Sequence, residues 1–403
     1  MDRVFSARRM EVARLYRGLS KTELAGQMDI PVRTVNSYED DSRLPEHEVV
    51  LKLAFRLKFP SAWFYRGEID IVSPSVMSFR SRRSMTAGMR SRAVAAATLA
   101  SGVCSPFVHK YLPLSDLLDL SDETPEQAAQ MLRDHWILGE GPIANMIHLL
   151  EAKGVGVYWW REPSAIVDAV SFWQDEKAFV MLNAHITAPD RIRYNLAHEL
   201  GHLVLHRSHD RKEQGYDDRQ SESEANRFAS AFLMPADTFR QECPTQPHLD
   251  MFFPVKQRWG VSIAAMVRRC RDIGVFSDWQ YECGFKEISM RHWRLSEPEV
   301  GLKKEESYVY AAFFNQIKTQ EVLADKVAKA LALPMDALLD TVPTAQQYRT
   351  NSGLSMMSPD EGSTSKPAHS LSLVPLSGSS VPSTSQNFTD EEETPPRRML
   401  KLA

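Results

Sequence analysis

The stretch that decides the fold is residues 191–207, which read RIRYNLAHELGHLVLHR. Apolar residues recur along it at helical spacing, so the pattern predicts an amphipathic helix with one face in the core. On such a helix His198 and His202 lie one turn apart on the same side, where both imidazoles can reach one metal ion. These residues therefore predict a metal site carried by a helix.

The HExxH spacing of this stretch suits zinc in particular. Two neutral imidazoles bind Zn²⁺ without cancelling its charge, and a coordinated water then has a pKa of about 7. Glu199 projects beside the histidines and is the expected general base. Thr187 and Asp190 are the expected start of the helix. The stretch thus combines metal ligands with a proton acceptor, as hydrolysis requires.

A catalytic zinc normally has a third protein ligand, which must come from elsewhere in the chain. A third histidine ten residues after the first is excluded because position 208 is Ser208. Glu222, on a second helix predicted downstream, is the expected third ligand, and Glu224 is the alternative. Asn226 follows Glu222 by one turn and is expected to orient a ligand histidine through a hydrogen bond.

The competing interpretation is a buried polar helix with core histidines and no metal. With 12 histidines in 403 residues, an accidental HExxH is expected in roughly a few per cent of chains. The helical context and the downstream glutamate favour the zinc site over this interpretation. His206 continues the same face, but three ligands on one straight helix cannot close on one ion, so we interpret it as structural.

Two segments carry a family resemblance, HELGHLVLH at residues 198–206 and ESEANRFASAFLMP at residues 222–235. Together they resemble the signature helices of the ImmA/IrrE family of metallopeptidases, and flanking segments agree over roughly residues 122–298. The resemblance implies a gluzincin-like zinc endopeptidase of α+β fold with Zn²⁺ as cofactor. It also implies a frequent fusion to a helix-turn-helix and a repressor protein as the target.

The N-terminal part, residues 8–66, predicts five short helices. Ser20 and Glu23 have the spacing of a capping box that opens the second helix. The third helix leaves a short polar and basic set outward, suited to reading base edges: Arg33, Thr34, Asn36 and Ser37. This part resembles a Cro/repressor-type (XRE-type) helix-turn-helix, although Asp41 stands where that family usually has glycine.

Charge favours DNA binding only locally. Residues 1–70 contain 12 Lys/Arg and 11 Asp/Glu, so the bundle is not strongly basic, whereas residues 71–110 contain 6 basic and no acidic residues. Five arginines of this second segment are candidates for phosphate contacts: Arg80, Arg82, Arg83, Arg90 and Arg92. The alternatives are a solvated helix face for the basic segment and a protein-docking role for the bundle.

Between the bundle and the metal helix the pattern predicts two helices, at residues 126–138 and 143–152, and then three short strands. The strands are rich in β-branched and aromatic residues and lie at residues 155–160, 167–173 and 178–182. An edge of such a sheet can bind an extended peptide by strand addition. After Pro235 we expect helices at 251–259, 263–273 and within 307–339, with a polar stretch up to Pro298.

Composition and charge indicate the class of protein, its compartment and the extent of disorder. The chain has 43% hydrophobic and 25% charged residues and a net charge of −4, which indicates globular material rather than a polyelectrolyte. Its four cysteines lack CxxC spacing, and no secretory start or membrane-spanning run is present, so we expect a cytoplasmic protein. Residues 351–403 hold 12 Ser and 6 Pro with few large apolar groups, which predicts disorder.

The resulting prediction is a multidomain regulator, with an all-α helix-turn-helix bundle and an α+β metallopeptidase part. The predicted parts are a helix-turn-helix (1–70), a basic helical linker (71–121), a zinc metallopeptidase (122–300), a helical appendage (301–345) and a disordered tail (346–403). The expected partners are DNA and a protein substrate, a repressor or an antitoxin-like protein, with no membrane; a homodimer is left open. The alternatives are a transcription factor whose zinc domain senses metal or docks a partner, and an antitoxin-like binding module.

Overall fold

The computed structural model describes residues 4–78, 85–108, 111–162, 167–207, 218–294, 296–318 and 324–348. The chain divides into two units, Met1–Ser352 and Gly353–Ala403. The second unit, with most of the tail predicted to be disordered, lies outside the described residues. Within the described residues the protein is rich in helix and has one three-stranded sheet, which is compatible with a multidomain α and α+β chain.

Five helical segments form the N-terminal part of the described chain, as predicted. They are α1 (Ala7–Tyr16), α2 (Lys21–Met28), α3 (Val32–Glu39), α4 (His47–Leu57) and a 3₁₀ helix (Ser61–Tyr65). The predicted capping box is present, because Ser20 Oγ accepts a hydrogen bond from the Glu23 amide and the Glu23 carboxylate accepts one from the Ser20 amide. Asp41 has a φ of 59°, the left-handed conformation that glycine adopts most easily.

The sheet consists of β1 (Val155–Trp160), β2 (Ala169–Gln174) and β3 (Lys177–Asn183), in the spatial order β1-β3-β2. β3 pairs in parallel with β1 and antiparallel with β2. Asp175 and Glu176 join β2 to β3 with φ values of 49° and 58°, the positive pair that a type I′ hairpin needs. The three predicted strands are confirmed, and β2 lies at an edge of the sheet.

Alternate side chains of the strands enter two different cores, because successive residues of a strand point to opposite faces. On one face Tyr158, Phe172 and Phe179 belong to a core that also contains residues of the N-terminal bundle. On the other face Val157 and Val180 pack with the helices that carry the predicted metal ligands. Both faces of the sheet are therefore covered, which explains why its strands read as nearly continuous apolar runs.

The predicted metal helix is α9 (Pro189–Leu205), and the predicted ligand helix is α10 (Asp218–Leu233). Before the sheet lie α5 (Ala87–Thr98), a π-helical turn (Leu99–Cys104), α6 (Ser105–Val108), α7 (Pro125–His135) and α8 (Met146–Ala152). After α10 come α11 (Ala236–Glu242), a 3₁₀ helix (Leu249–Phe252), α12 (Phe253–Trp259), α13 (Ile263–Asp272) and α14 (Asp278–Met290). α9 packs between the sheet and α10, so the sheet positions the metal helix.

Two helix starts and two whole helices differ from the sequence-based prediction. α9 begins at Pro189 rather than at Thr187. Proline is favoured at the first helical position, because the backbone N–H that it lacks would make no hydrogen bond within the helix there. Asn145 lies outside α8 and caps it, its side chain accepting a hydrogen bond from the His148 amide. No helix was predicted where α11 and α14 lie. The region of α14 was expected to be a polar stretch; α14 buries few of its residues, so its apolar stripe is weak, and α11 is short and buries Phe239.

The predicted C-terminal appendage forms three helices and a final turn. They are α15 (Tyr308–Lys318), α16 (Ala324–Leu331), α17 (Met335–Thr341) and a 3₁₀ helix (Pro343–Tyr348). The Tyr16 hydroxyl donates to Asp340 over 3.0 Å, and Arg17 forms an ion pair with Asp336. Arg161, which follows β1, binds the same Asp340 carboxylate. The appendage therefore connects the bundle to the sheet.

Candidate metal centre

Two crossing helices, α9 and α10, bring the three predicted ligands together. α9 places His198 and His202 four residues apart on one side, and both side chains are buried. Gly201, between them, lets α10 approach closely, because a Cβ at this position would lie only 3.2 Å from the Ala225 Cα. This close crossing places Glu222 next to the two imidazoles.

His198, His202 and Glu222 form one cluster whose ligand atoms all lie within 4.8 Å of one another. The two histidine Nε2 atoms are 3.2 Å apart. The Glu222 carboxylate oxygens lie 3.4 Å from His198 Nε2 and 3.2 Å from His202 Nε2. A tetrahedral zinc with ligands at about 2.0–2.1 Å requires ligand atoms about 3.3–3.4 Å apart. The donor types and their spacing are therefore compatible with zinc.

The protonation of these side chains also suits a metal. Burial lowers the pKa of His202 to about 3, so its imidazole is neutral near pH 7. Burial raises the pKa of Glu222, but hydrogen bonds with His198 and His202 outweigh that effect and hold this pKa below its usual value. His202 and Glu222 are thus in the neutral and charged forms, respectively, that bind zinc.

Glu199 lies on α9 beside the cluster and is only 1% exposed. Its Oε2 accepts hydrogen bonds from the Ser78 hydroxyl over 2.7 Å and from the Ser171 hydroxyl over 2.6 Å. Burial raises the pKa of Glu199, while His198 and the two hydroxyls oppose the rise. A buried carboxyl with a raised pKa that stays outside the ligand cluster suits proton transfer near neutral pH.

Glu224, the alternative ligand, contacts the cluster through His206. Glu224 Oε2 lies 3.0 Å from His206 Nε2, and His206 Nδ1 lies 3.1 Å from His202 Nδ1. These contacts orient the His202 ring from the side opposite its ligand atom. His206 was expected to be structural, but its position four residues after His202 on the same helix face indicates this contact.

Asn226 does not make the contact with a ligand histidine that was predicted for it. Its Nδ2 donates to the Glu222 backbone carbonyl over 2.7 Å, because a carbonyl one turn back lies within easy reach of a short amide side chain. Within the described chain, His198 Nδ1 is buried and has no hydrogen-bond partner. Asn226 therefore stiffens α10 near the ligand instead of orienting a ring.

The four residues predicted to read DNA all lie on α3, far along the chain from the metal cluster. Arg33 and Asn36 are exposed, whereas Thr34 and Ser37 are half-buried. The Ser37 hydroxyl donates to the Arg33 carbonyl over 2.9 Å, so it is partly engaged within the helix. Arg33 and Asn36 are thus the more accessible pair for an external contact.

The arginines predicted to add phosphate contacts differ in their surroundings. Arg90 is exposed on α5. Arg92 forms a 2.7 Å ion pair with Glu162, whose side chain is 1% exposed, so Arg92 neutralises a buried carboxylate and is a poor phosphate contact. The other three lie outside the described residues: Arg80, Arg82 and Arg83.

Comparison with known families places the cluster in a peptidase context. Residues 151–271 match the model of the family Peptidase_M78, the IrrE N-terminal-like domain, and this segment contains α9, α10 and the whole sheet. The match covers less than a third of the chain and supports a metallopeptidase of the ImmA/IrrE type in this part. No curated protein matches the chain. In the described ranges, no helix combines the length and apolar character needed to span a bilayer.

Proposed function

We propose that the chain is a DNA-binding regulator with a zinc-dependent endopeptidase part, in which His198, His202 and Glu222 bind zinc and Glu199 is the general base. One observation carries the proposal. Three ligand atoms spaced for zinc lie beside a buried carboxylate, inside the segment that matches a metallopeptidase family. The proposed substrate is a repressor or antitoxin-like protein, whose cleavage changes transcription in a stress response or a mobile element.

Each side chain of the site has one task in the proposed hydrolysis. Zinc, when bound, acts as a Lewis acid that lowers the pKa of a coordinated water to about 7. Glu199 takes a proton from a water molecule as the water oxygen bonds to the peptide carbonyl carbon. It later gives this proton to the amine nitrogen that leaves when the C–N bond breaks. Glu224 and His206 keep the His202 ring in place. The edge of β2 offers backbone groups along which an extended peptide can align.

The proposed DNA contact rests on α3. Its exposed Arg33 and Asn36 are side chains that pair well with base edges, guanine for Arg33 and adenine for Asn36. The bundle itself is nearly neutral, with 12 basic and 11 acidic residues over positions 1–70. Most phosphate contacts are therefore expected from the basic segment 71–110 rather than from the bundle, and site discrimination depends mainly on the α3 side chains.

Replacing Arg33 or Asn36 with alanine is expected to reduce discrimination between specific and random DNA by about 1–3 kcal/mol. Arg82→Ala together with Arg83→Ala should instead weaken all binding and flatten its salt dependence. Fluorescence anisotropy with genomic fragments measures both effects, and exposed Arg268 of α13 provides a charge-matched control, Arg268→Ala. Absence of any binding at low salt would identify the bundle as a protein-docking module.

The proposed activity is tested by removing and restoring the metal. The purified chain should contain about one zinc per molecule and should generate new N-termini in a lysate of its source organism. Chelation should abolish these cleavages, and stoichiometric zinc should restore them, with circular dichroism confirming that the fold survives. Cleavage that persists without metal, or metal content far below one, would contradict the proposal.

A further inference from the structure

The edge of β2 proposed to bind a peptide is itself hydrogen-bonded to another segment of the chain, at Ser78. Among the described strands β2 pairs with β3 on one side only. On its other side the Ser78 amide donates to the Ser171 carbonyl over 2.8 Å, and the Ser171 amide donates to Ser78 Oγ over 2.8 Å. Both backbone groups that Ser171 presents at this edge are therefore occupied by Ser78.

The same residue also reaches the proposed base. Ser78 Oγ accepts the Ser171 amide, and its one proton has three acceptors within reach: Glu199 Oε2 at 2.7 Å, Ser171 Oγ at 2.8 Å and the Ser171 carbonyl at 3.2 Å. The Glu199 carboxylate is the nearest and, as a charged group, the strongest acceptor of the three. The Ser171 hydroxyl donates to the same oxygen over 2.6 Å. Ser78 and Ser171 are each only 2% exposed, so water does not compete strongly with these bonds. One oxygen of the base thus accepts two buried hydroxyl donors.

Ser78 is fixed from the side of the N-terminal bundle. Met77, immediately before it, is fully buried in the core that also contains Leu24, Val35 and other bundle residues. Earlier in the segment, the Val72 amide donates to Thr98 Oγ1 of α5 over 3.1 Å. The position of Ser78 on β2 therefore depends on the packing of the bundle against the rest of the chain.

We propose that Ser78, anchored by the buried Met77 before it, occupies the peptide-docking edge of β2 and engages Glu199, so that the peptidase is held in a self-inhibited form until the bundle moves. A substrate that adds to this edge needs the Ser171 amide and carbonyl, and Ser78 uses both. The natural trigger is a ligand of the bundle, which is DNA under the proposed function on which this inference rests.

The test compares Ser78→Ala and Ser78→Pro in the full-length, zinc-loaded chain. Alanine removes the hydroxyl, and proline also removes the backbone donor. Ser75→Ala and Ser75→Pro are matched controls, because Ser75 lies in the same segment without contact to Glu199. Circular dichroism establishes folding, and Ser78→Ala keeps the test valid if the proline variant misfolds.

Two readouts other than catalysis measure docking. Hydrogen exchange followed by mass spectrometry over residues 167–174 should become faster in the Ser78 variants but not in the Ser75 variants. An extended peptide hydroxamate, which binds zinc and lies along an edge strand, should bind the Ser78 variants about ten-fold more tightly. Cleavage of lysate proteins should rise by a similar factor.

The possible outcomes separate this inference from the proposed function. Tighter hydroxamate binding without any cleavage supports self-occupation of the edge and refutes the peptidase activity. Unchanged binding and exchange, with normal cleavage by the wild-type chain, overturns the inference alone. A fall in cleavage with Ser78→Ala at unchanged hydroxamate affinity also overturns it, since Ser78 would then support the base rather than block the edge.

Discussion

Glu199→Gln is expected to lower the rate of peptide hydrolysis about 10²- to 10⁴-fold while the zinc remains bound. The carboxylate lies on the ligand helix but outside the cluster of His198, His202 and Glu222, so it is not one of the proposed zinc ligands. Glutamine keeps the size of the side chain and can still accept hydrogen bonds from the two serine hydroxyls. The substitution therefore removes basicity with little change in packing.

The control for this substitution is Glu126→Gln, which changes a glutamate paired with Arg227 on the surface of α10. Zinc content, thermal stability and the cleavage rate of a substrate found in the lysate experiment are measured for both variants. Normal cleavage by zinc-loaded Glu199→Gln would mean that the carboxylate takes no proton. Another group would then have to be the base. Normal gene regulation by zinc-loaded Glu199→Gln, together with its loss in His202→Ala, would instead make the metal structural or sensory, and the interpretation as a metal-sensing or partner-docking transcription factor would replace the peptidase.

Glu222→Ala is expected to lower zinc affinity by more than about 100-fold. Removal of groups that merely orient a ligand typically costs 10- to 100-fold, so loss of a direct ligand costs more. Glu222 also carries the negative charge that faces both imidazoles, at 3.4 and 3.2 Å. Competition with a chromophoric chelator measures the affinity, and His202→Ala should show a comparable loss.

The matched control is Glu224→Ala, two residues away on the same helix. Because Glu224 acts on the cluster through His206, its loss should cost no more than about 10- to 100-fold in zinc affinity. The reverse result, full zinc in Glu222→Ala and little in Glu224→Ala, would assign the third ligand to Glu224. Such a result would require α10 to rotate from the position seen here.

The sequence was sufficient for the parts of the site that follow local rules. Helical periodicity places His198 and His202 on one face wherever the helix packs, so their pairing did not depend on the tertiary fold. The need for a third zinc ligand predicts Glu222, because it lies on the next acidic helix downstream. The structure adds the reason it fits, since Gly201 allows α10 to cross close to α9.

Contacts between segments far apart in the sequence could not be predicted from local spacing. Ser78 precedes Glu199 by 121 residues, and no spacing rule relates a serine in a connecting segment to a base on a helix. For the same reason the sequence does not predict the ion pair of Arg92 with Glu162. Arg92 belongs to a run of basic residues, and such a run favours the interpretation as an exposed phosphate-binding surface. Both contacts form because the fold buries Glu199 and Glu162, and the burial of a residue depends on the whole fold.

The remaining differences between prediction and structure have local causes, at Asn226 and at α14. The Asn226 amide can reach a backbone carbonyl inside α10, and that acceptor is closer than a ring on another helix. α14 was missed because its apolar stripe is weak, although Ser277 and Gln280 form a capping box that marked its start. The capping signal was present in the sequence but was not used.

The proposed peptidase activity is tested most directly by comparing cells that express the wild-type chain with cells that express Glu199→Gln, both verified to carry about one zinc per chain. New protein N-termini are labelled and identified by mass spectrometry after equal expression. We expect a small set of new N-termini, in a repressor or antitoxin-like protein, with the wild-type chain and none with Glu199→Gln. Identical sets of N-termini in the two strains would contradict the peptidase assignment.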